Sequence, residues 1–164
     1  MKPRIFRNVL FGVCAIGLAL VPAAASAADL SITPGNASLT GKVALTVPVT
    51  VSCSAPFWDT TTQELFQENI SVSVEQASGR SIAHGSSTAY ASVPDSLFVQ
   101  CDGVPVTVPV TVWADVSGPP FHNGSAVVSG AIGLMAGTNC GFPGCYYNLV
   151  SISAGFAPQQ IKVR

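Results

Sequence analysis

The run Leu45-Thr-Val-Pro-Val-Thr-Val-Ser-Cys53 decides the class of the fold. Leu45, Val47, Val49, Val51 and Cys53 fall on one side of an extended chain, and Thr46, Pro48, Thr50 and Ser52 on the other. Successive side chains of a strand point to opposite faces, so this alternation describes a strand with one dry and one wet side. The pattern returns in Val104-Pro-Val-Thr-Val-Pro-Val-Thr-Val-Trp-Ala114, with Val104, Val106, Val108, Val110, Val112 and Ala114 opposed by prolines, threonines and Trp113. Shorter versions occur in Ile70, Val72 and Val74, in Leu97, Val99 and Cys101, and in Ile161 and Val163.

Working outward from these runs, strands are expected at 30–33, 43–53, 69–77, 81–92 (broken), 96–101, 104–116, 125–136, 146–153 and 159–163. Gly-containing turns at Ser78-Gly79, Asp102-Gly103 and Asn123-Gly124 separate several of them. Only Thr60 to Glu68 could form a turn of helix. Proline has no N–H to give to a ladder, so Pro48, Pro105 and Pro109 must direct the missing donor away from a partner strand. One-sided strands joined by short turns predict an all-β fold, an antiparallel sandwich of immunoglobulin-like architecture. The Cys–Trp–Cys order of antibody domains is absent, so the likeness is architectural only.

The N-terminus reads as an export signal. Lys2, Arg4 and Arg7 precede an apolar run from Val9 to Val21, Pro22 breaks it, and Ala25-Ser26-Ala27 fits the small-residue cleavage rule. That run is roughly 13 residues, against the ~20 a membrane-spanning helix needs. The expectation is a signal peptide at 1–27, one domain at 28–164 and an extracellular location, with no membrane span after cleavage. The mature part keeps four basic residues against eight carboxylates, a net charge of −4. That balance offers no electrostatic footprint for nucleic acid.

Four cysteines remain in the mature part and allow three pairings. Cys140 and Cys145 flank Gly-Phe-Pro-Gly, a turn that brings its ends together, which leaves Cys53 to pair with Cys101. Two disulfides are therefore expected. A zinc site at Cys140, Cys145 and His122 is the rival, disfavoured by an oxidising compartment and the lack of a second close pair. No metal and no cofactor is expected.

The runs VPVTVSC (47–53), ISVSVEQ (70–76), FVQCDGVPVTVPVTV (98–112) and GPPFHNGSAVVSGAI (118–132), taken in order, resemble a loosely defined group of small secreted actinobacterial proteins. The resemblance covers residues 43 to 164 and implies a secreted β-sandwich. It brings no established activity and no catalytic residues. The chain departs from the group in a longer aromatic insert between Cys53 and Asn69. A fainter similarity links Cys140-x4-Cys145 and the hairpin after it to the enediyne-antibiotic carrier proteins.

Candidates for chemistry are sparse. His84 and His122 lie in expected turns outside any nucleophile motif, and Glu64 and Glu68 read as a solvated pair. The insert is more informative, because loops of this length in compact domains are often functional. Phe57, Trp58, Leu65 and Phe66, with Phe121 in the later Gly118-Pro119-Pro120 turn, are the expected contact residues for an extracellular protein, a glycan or an apolar ligand. The alternative is that they fold back and cap the sandwich. A non-enzymatic extracellular binding or structural module is thus the leading expectation. A carrier with a cleft between the sheets, a hydrolase using His84 or His122, and a protease inhibitor presenting the Cys140–Cys145 loop stand behind it.

Overall fold

A computed structural model describes residues 29–54, 57–92, 97–140 and 146–164. Eight strands follow one another: β1 (Leu30–Pro34), β2 (Ser38–Thr40), β3 (Ala44–Cys53), β4 (Glu64–Ser78), β5 (Ser81–Ser92), β6 (Val106–Ala114), β7 (Gly124–Asn139) and β8 (Tyr146–Val163). There is no helix among the described residues, and hence none long and apolar enough to cross a membrane. The expected signal peptide lies outside the described residues.

Hydrogen-bonded neighbours run β1-β3-β6-β5-β4-β7-β8, each pair antiparallel, with β2 alongside β3. Between β6 and β5 the ladder has only two residue pairs, Gly85 with Ala114 and Ser86 with Trp113. The sheet turns there into two layers, β1-β3-β6 with β2, and β5-β4-β7-β8. At the far side Ala37 forms a parallel bridge with Val163, its N–H donating to Lys162 O (2.9 Å) and its carbonyl accepting from Arg164 N (3.1 Å). The result is an antiparallel β-sandwich.

Gly85 makes the corner possible. A Cβ built there would run into the Trp113 carbonyl oxygen and meet Phe121 Cζ at 3.0 Å. The dry sides then face each other as the alternation requires. Leu45, Val47, Val49, Val51, Val110 and Val112 of one layer meet Ile70, Val72, Val74, Val128, Ile132 and Leu134 of the other in one cluster, every one buried. Each such side chain contributes about 1.5–3 kcal/mol of transfer free energy.

The prolines behave as their chemistry demands. Pro48 and Pro109 pair with each other across β3 and β6, a position at which neither strand needs a donor. On its other side Pro48 faces the gap between β1 and β2, where its carbonyl accepts from Gly35 N at 2.7 Å.

Cys53 and Cys101 are joined, with Cα atoms 4.4 Å apart across 48 residues of sequence. Cross-linking a loop of that length contributes about 4 kcal/mol in the loop-closure model. Cys140 is also disulfide-bonded; Cys145, its expected partner, lies outside the described residues.

Three expectations need correction. Residues 97–101 form no strand but a loop, because Phe98 N and Val99 N are taken up by a side chain of β4 rather than by a ladder. Thr60 to Glu68 is not helical. Asp59 accepts from Thr61 N at 2.9 Å and Thr62 Oγ1 at 3.0 Å to hold a turn, and the chain enters β4 at Glu64. The two segments expected at 146–153 and 159–163 are one strand, β8, whose register shifts where β7 passes from Val128 to Gly130.

Candidate functional site

The expected contact aromatics are largely claimed by the core. Phe121 is 1% exposed and Leu65 8%, so neither offers a surface to a partner. Phe57 and Trp58 meet edge-to-face (centroids 4.8 Å, planes at 81°) and pack half-buried against the core. Phe66 stacks on Tyr146 at 4.1 Å with planes 11° apart. Phe57 and Trp58 thus lie against the core, while Phe66 is held by β8 through Tyr146. The physical reason is local: β4 begins at Glu64, and a register shift between Leu65 and Gln67 lets Leu65 and Glu68 both turn inward.

That shift also separates the two carboxylates. Glu64 is exposed and accepts from Asn139 Nδ2 (2.7 Å) and Tyr146 OH (3.0 Å). Glu68 is 0% exposed. One of its oxygens accepts from Phe98 N at 2.5 Å, and both lie within reach of Val99 N at 3.1 and 3.2 Å. Burial pushes its carboxyl above the usual carboxylate range, although the two amide donors pull the other way. It ties a loop; it does not face a ligand.

The histidines have separate partners. His84 Nδ1 lies 3.6 Å from Glu75 Oε1, both side chains about half exposed. His122 Nδ1 is 2.8 Å from Asn123 O and Nε2 2.9 Å from Ala77 O. Two carbonyl oxygens against one ring favour the doubly protonated form, and its pKa is raised, first by Asn123 and then by Ala77. Gln76, 1% exposed, anchors this loop: its Oε1 accepts from His122 N (2.8 Å) and its Nε2 donates to His122 O (2.7 Å).

A different surface has the form of a site. Ser71 and Ser73 of β4, Ser86, Ser87 and Thr88 of β5, and Ser129, Gly130 and Ala131 of β7 line a groove of about 600 Å³, with Val72 and Phe156. Register explains the assembly. Thr88, Ser71 and Ala131 stand in one row across three strands, and Ser86, Ser73 and Ser129 in the next. Gly130 lets β7 pack closely against its neighbours, since a Cβ there would come within 2.5 Å of Ser71 O and 2.9 Å of the Phe156 ring. Among the described residues these hydroxyls make one intramolecular bond, Ser71 Oγ to Ala131 O at 3.4 Å.

Two large side chains flank the groove on the same face. Trp113, 60% exposed, pairs with Ser86. Tyr90, 70% exposed, pairs with Asn69 two positions beyond Thr88, a spacing that returns a strand to the same side. The lining holds no ionisable group; Glu75 and His84 pair with each other in the row beyond Ser73 and Ser86. Hydroxyls of this kind donate and accept hydrogen bonds. Among the described residues no cluster of His, Cys, Asp and Glu could hold a metal ion.

Sequence reasoning missed this surface because serine on the wet side of a strand reads as ordinary solvated chain. Its only linear signal is the density of hydroxyls at 71, 73, 86 and 88, and nothing local joins these to Ser129. No family model, curated protein or solved structure matches the chain.

Proposed function

We propose that this protein is an exported, non-enzymatic binding module whose ligand surface is the outer face of β4, β5 and β7, between Trp113 and Tyr90. The observation that carries the reading is the groove itself: five outward hydroxyls (Ser71, Ser73, Ser86, Thr88 and Ser129) with their bonding capacity largely unspent and no acid, base or nucleophile-activating partner in the lining. Such a surface recognises by hydrogen bonding and shape. The strand order supports the immunoglobulin-like part of the reading. β1-β3-β6 and β5-β4-β7-β8 correspond to the A-B-E and C′-C-F-G layers of that architecture. The export signal and the secreted actinobacterial group that the motifs resemble belong to the same proposal.

Backbone amide shifts of the labelled mature protein test it, recorded while panels of soluble oligosaccharides, peptides and fatty acids are added. Changes concentrated in β4, β5 and β7 support the reading. Changes confined to residues 57–66 would restore the aromatic insert as the site.

A carrier role is favoured by one separate observation. Leu39, Pro120 and Phe121, with Lys42, Ser78, His122 and Asn123, line a cavity of about 380 Å³. Its apolar side, Leu39 and Pro120, and the Lys42 on its rim suit a small amphipathic acid, and native mass spectrometry of protein from its own source reads such a ligand directly.

A further inference from the structure

We infer that the groove takes a neutral polysaccharide, laid as an extended chain of several sugar rings from Tyr90 across the serines to Trp113. This rests on the proposed binding face and names its ligand class. Three features of the surface carry it.

Charge comes first. A charged ligand pressed into this groove would lose hydration without gaining a counter-charge, because the lining has no ionisable group. A neutral ligand meets no such penalty.

Bonding capacity comes second. Each serine or threonine hydroxyl offers one donor and two acceptor sites and rotates to suit its partner. A sugar hydroxyl has the same inventory, so the two surfaces can satisfy each other in either direction. A protein partner would instead be met by an apolar, water-excluding centre, and the centre of this groove is polar.

The aromatics come third. Trp113 and Tyr90 are 60% and 70% exposed, which wastes their apolar area in a free protein. The C–H faces of sugar rings are flat and apolar, and they cover an aromatic ring while the hydroxyls around them stay wet. From Tyr90 to Ser86 is four residues of strand, roughly 13 Å, and Trp113 lies about 5 Å to the side. One sugar ring cannot touch both, whereas a chain can.

The test uses the full mature protein with its disulfides formed. Electrophoresis is run through gels containing a neutral polysaccharide (mixed-linkage β-glucan, xylan, mannan or dextran) or an acidic one (alginate), with capture on insoluble cellulose and chitin. At least one neutral polymer should retard or capture the protein. Trp113→Ala and Tyr90→Ala should each weaken that binding about tenfold, the scale of losing an aromatic anchor, and Ser73→Arg should abolish it. Circular dichroism confirms that each variant keeps the strand spectrum. In Trp58→Phe, the remaining Trp113 fluorescence should shift on adding the polymer.

Failure of the wild type to bind any neutral polymer, or equal binding by the aromatic variants, overturns the ligand class. Binding to alginate or to a peptide that Ser73→Arg abolishes would overturn the class while leaving the face intact. Binding that survives Ser73→Arg and Trp113→Ala but is lost in Trp58→Ala would overturn both.

Discussion

Trp113 stands directly across from Ser86 in a ladder of two pairs, the only hydrogen-bonded joint between β6 and β5 among the described residues. That joint turns the sheet over on itself and also delivers an indole to the edge of the serine-lined groove. Fold and candidate site therefore share a corner.

The corner tolerates no side chain at Gly85. The Trp113 carbonyl oxygen crowds the place a β-carbon would take, and Phe121 closes the other side, so Gly85→Ala must push the layers apart. A loss on the order of 1–3 kcal/mol is expected, as for other overpacked interiors. Urea unfolding measures it, and Trp113 fluorescence should report a disturbed joint below the main transition.

Glu68 gives the fold a pH dependence of defined sign. Its carboxyl titrates above the ordinary 4.5, so the folded state binds its proton more tightly than the unfolded chain. Its contribution to stability is greatest below pH 4.5, falls as pH rises through the raised folded value, and is flat beyond it. Glu68→Gln should remove that slope in urea midpoints measured from pH 4 to 8. Glu68→Ala strands the Phe98 and Val99 amides without an acceptor and should cost about 2 kcal/mol or more.

His122 acts with the same sign in a higher pH range. Its raised pKa means the two carbonyl contacts hold best when the ring is charged. The benefit is complete below pH 6.5 and is lost as pH rises through the folded value. Amide exchange at Asn123 and Gly124 should quicken across that window. Gln76→Ala, which removes both clamps on the His122 backbone, should quicken it at every pH.

The bridge between Cys53 and Cys101 should carry more stability than any single core side chain. Replacing both by alanine is expected to cost about 4 kcal/mol. Denaturant unfolding of the double variant, with the Cys140 bond left in place, reads the long-range bridge alone.

What could be read in the linear chain depended on period-2 geometry. The valine alternation in 45–53 and 106–112 named the buried face residue by residue, because a pleat places every second side chain on one side whatever the neighbours are. The same parity put Cys53 and Cys101 on dry faces. It failed at Leu65 and Glu68, where a register shift changes which residues face inward, and at 97–101, where a carboxylate replaced a partner strand.

The sequence alone thus determined the all-β class, the valine face of the core and the long-range disulfide, since each follows from local alternation and the pairing it allows. Tertiary structure decided the rest: that Phe121 and Leu65 are consumed by packing, that the sheet turns at Gly85, and that Ser71, Ser86 and Ser129 meet in one groove beside Trp113. Those residues are separated along the chain and joined only by the register of three ladders. That register is set by the whole core closing at once, and no short window contains it.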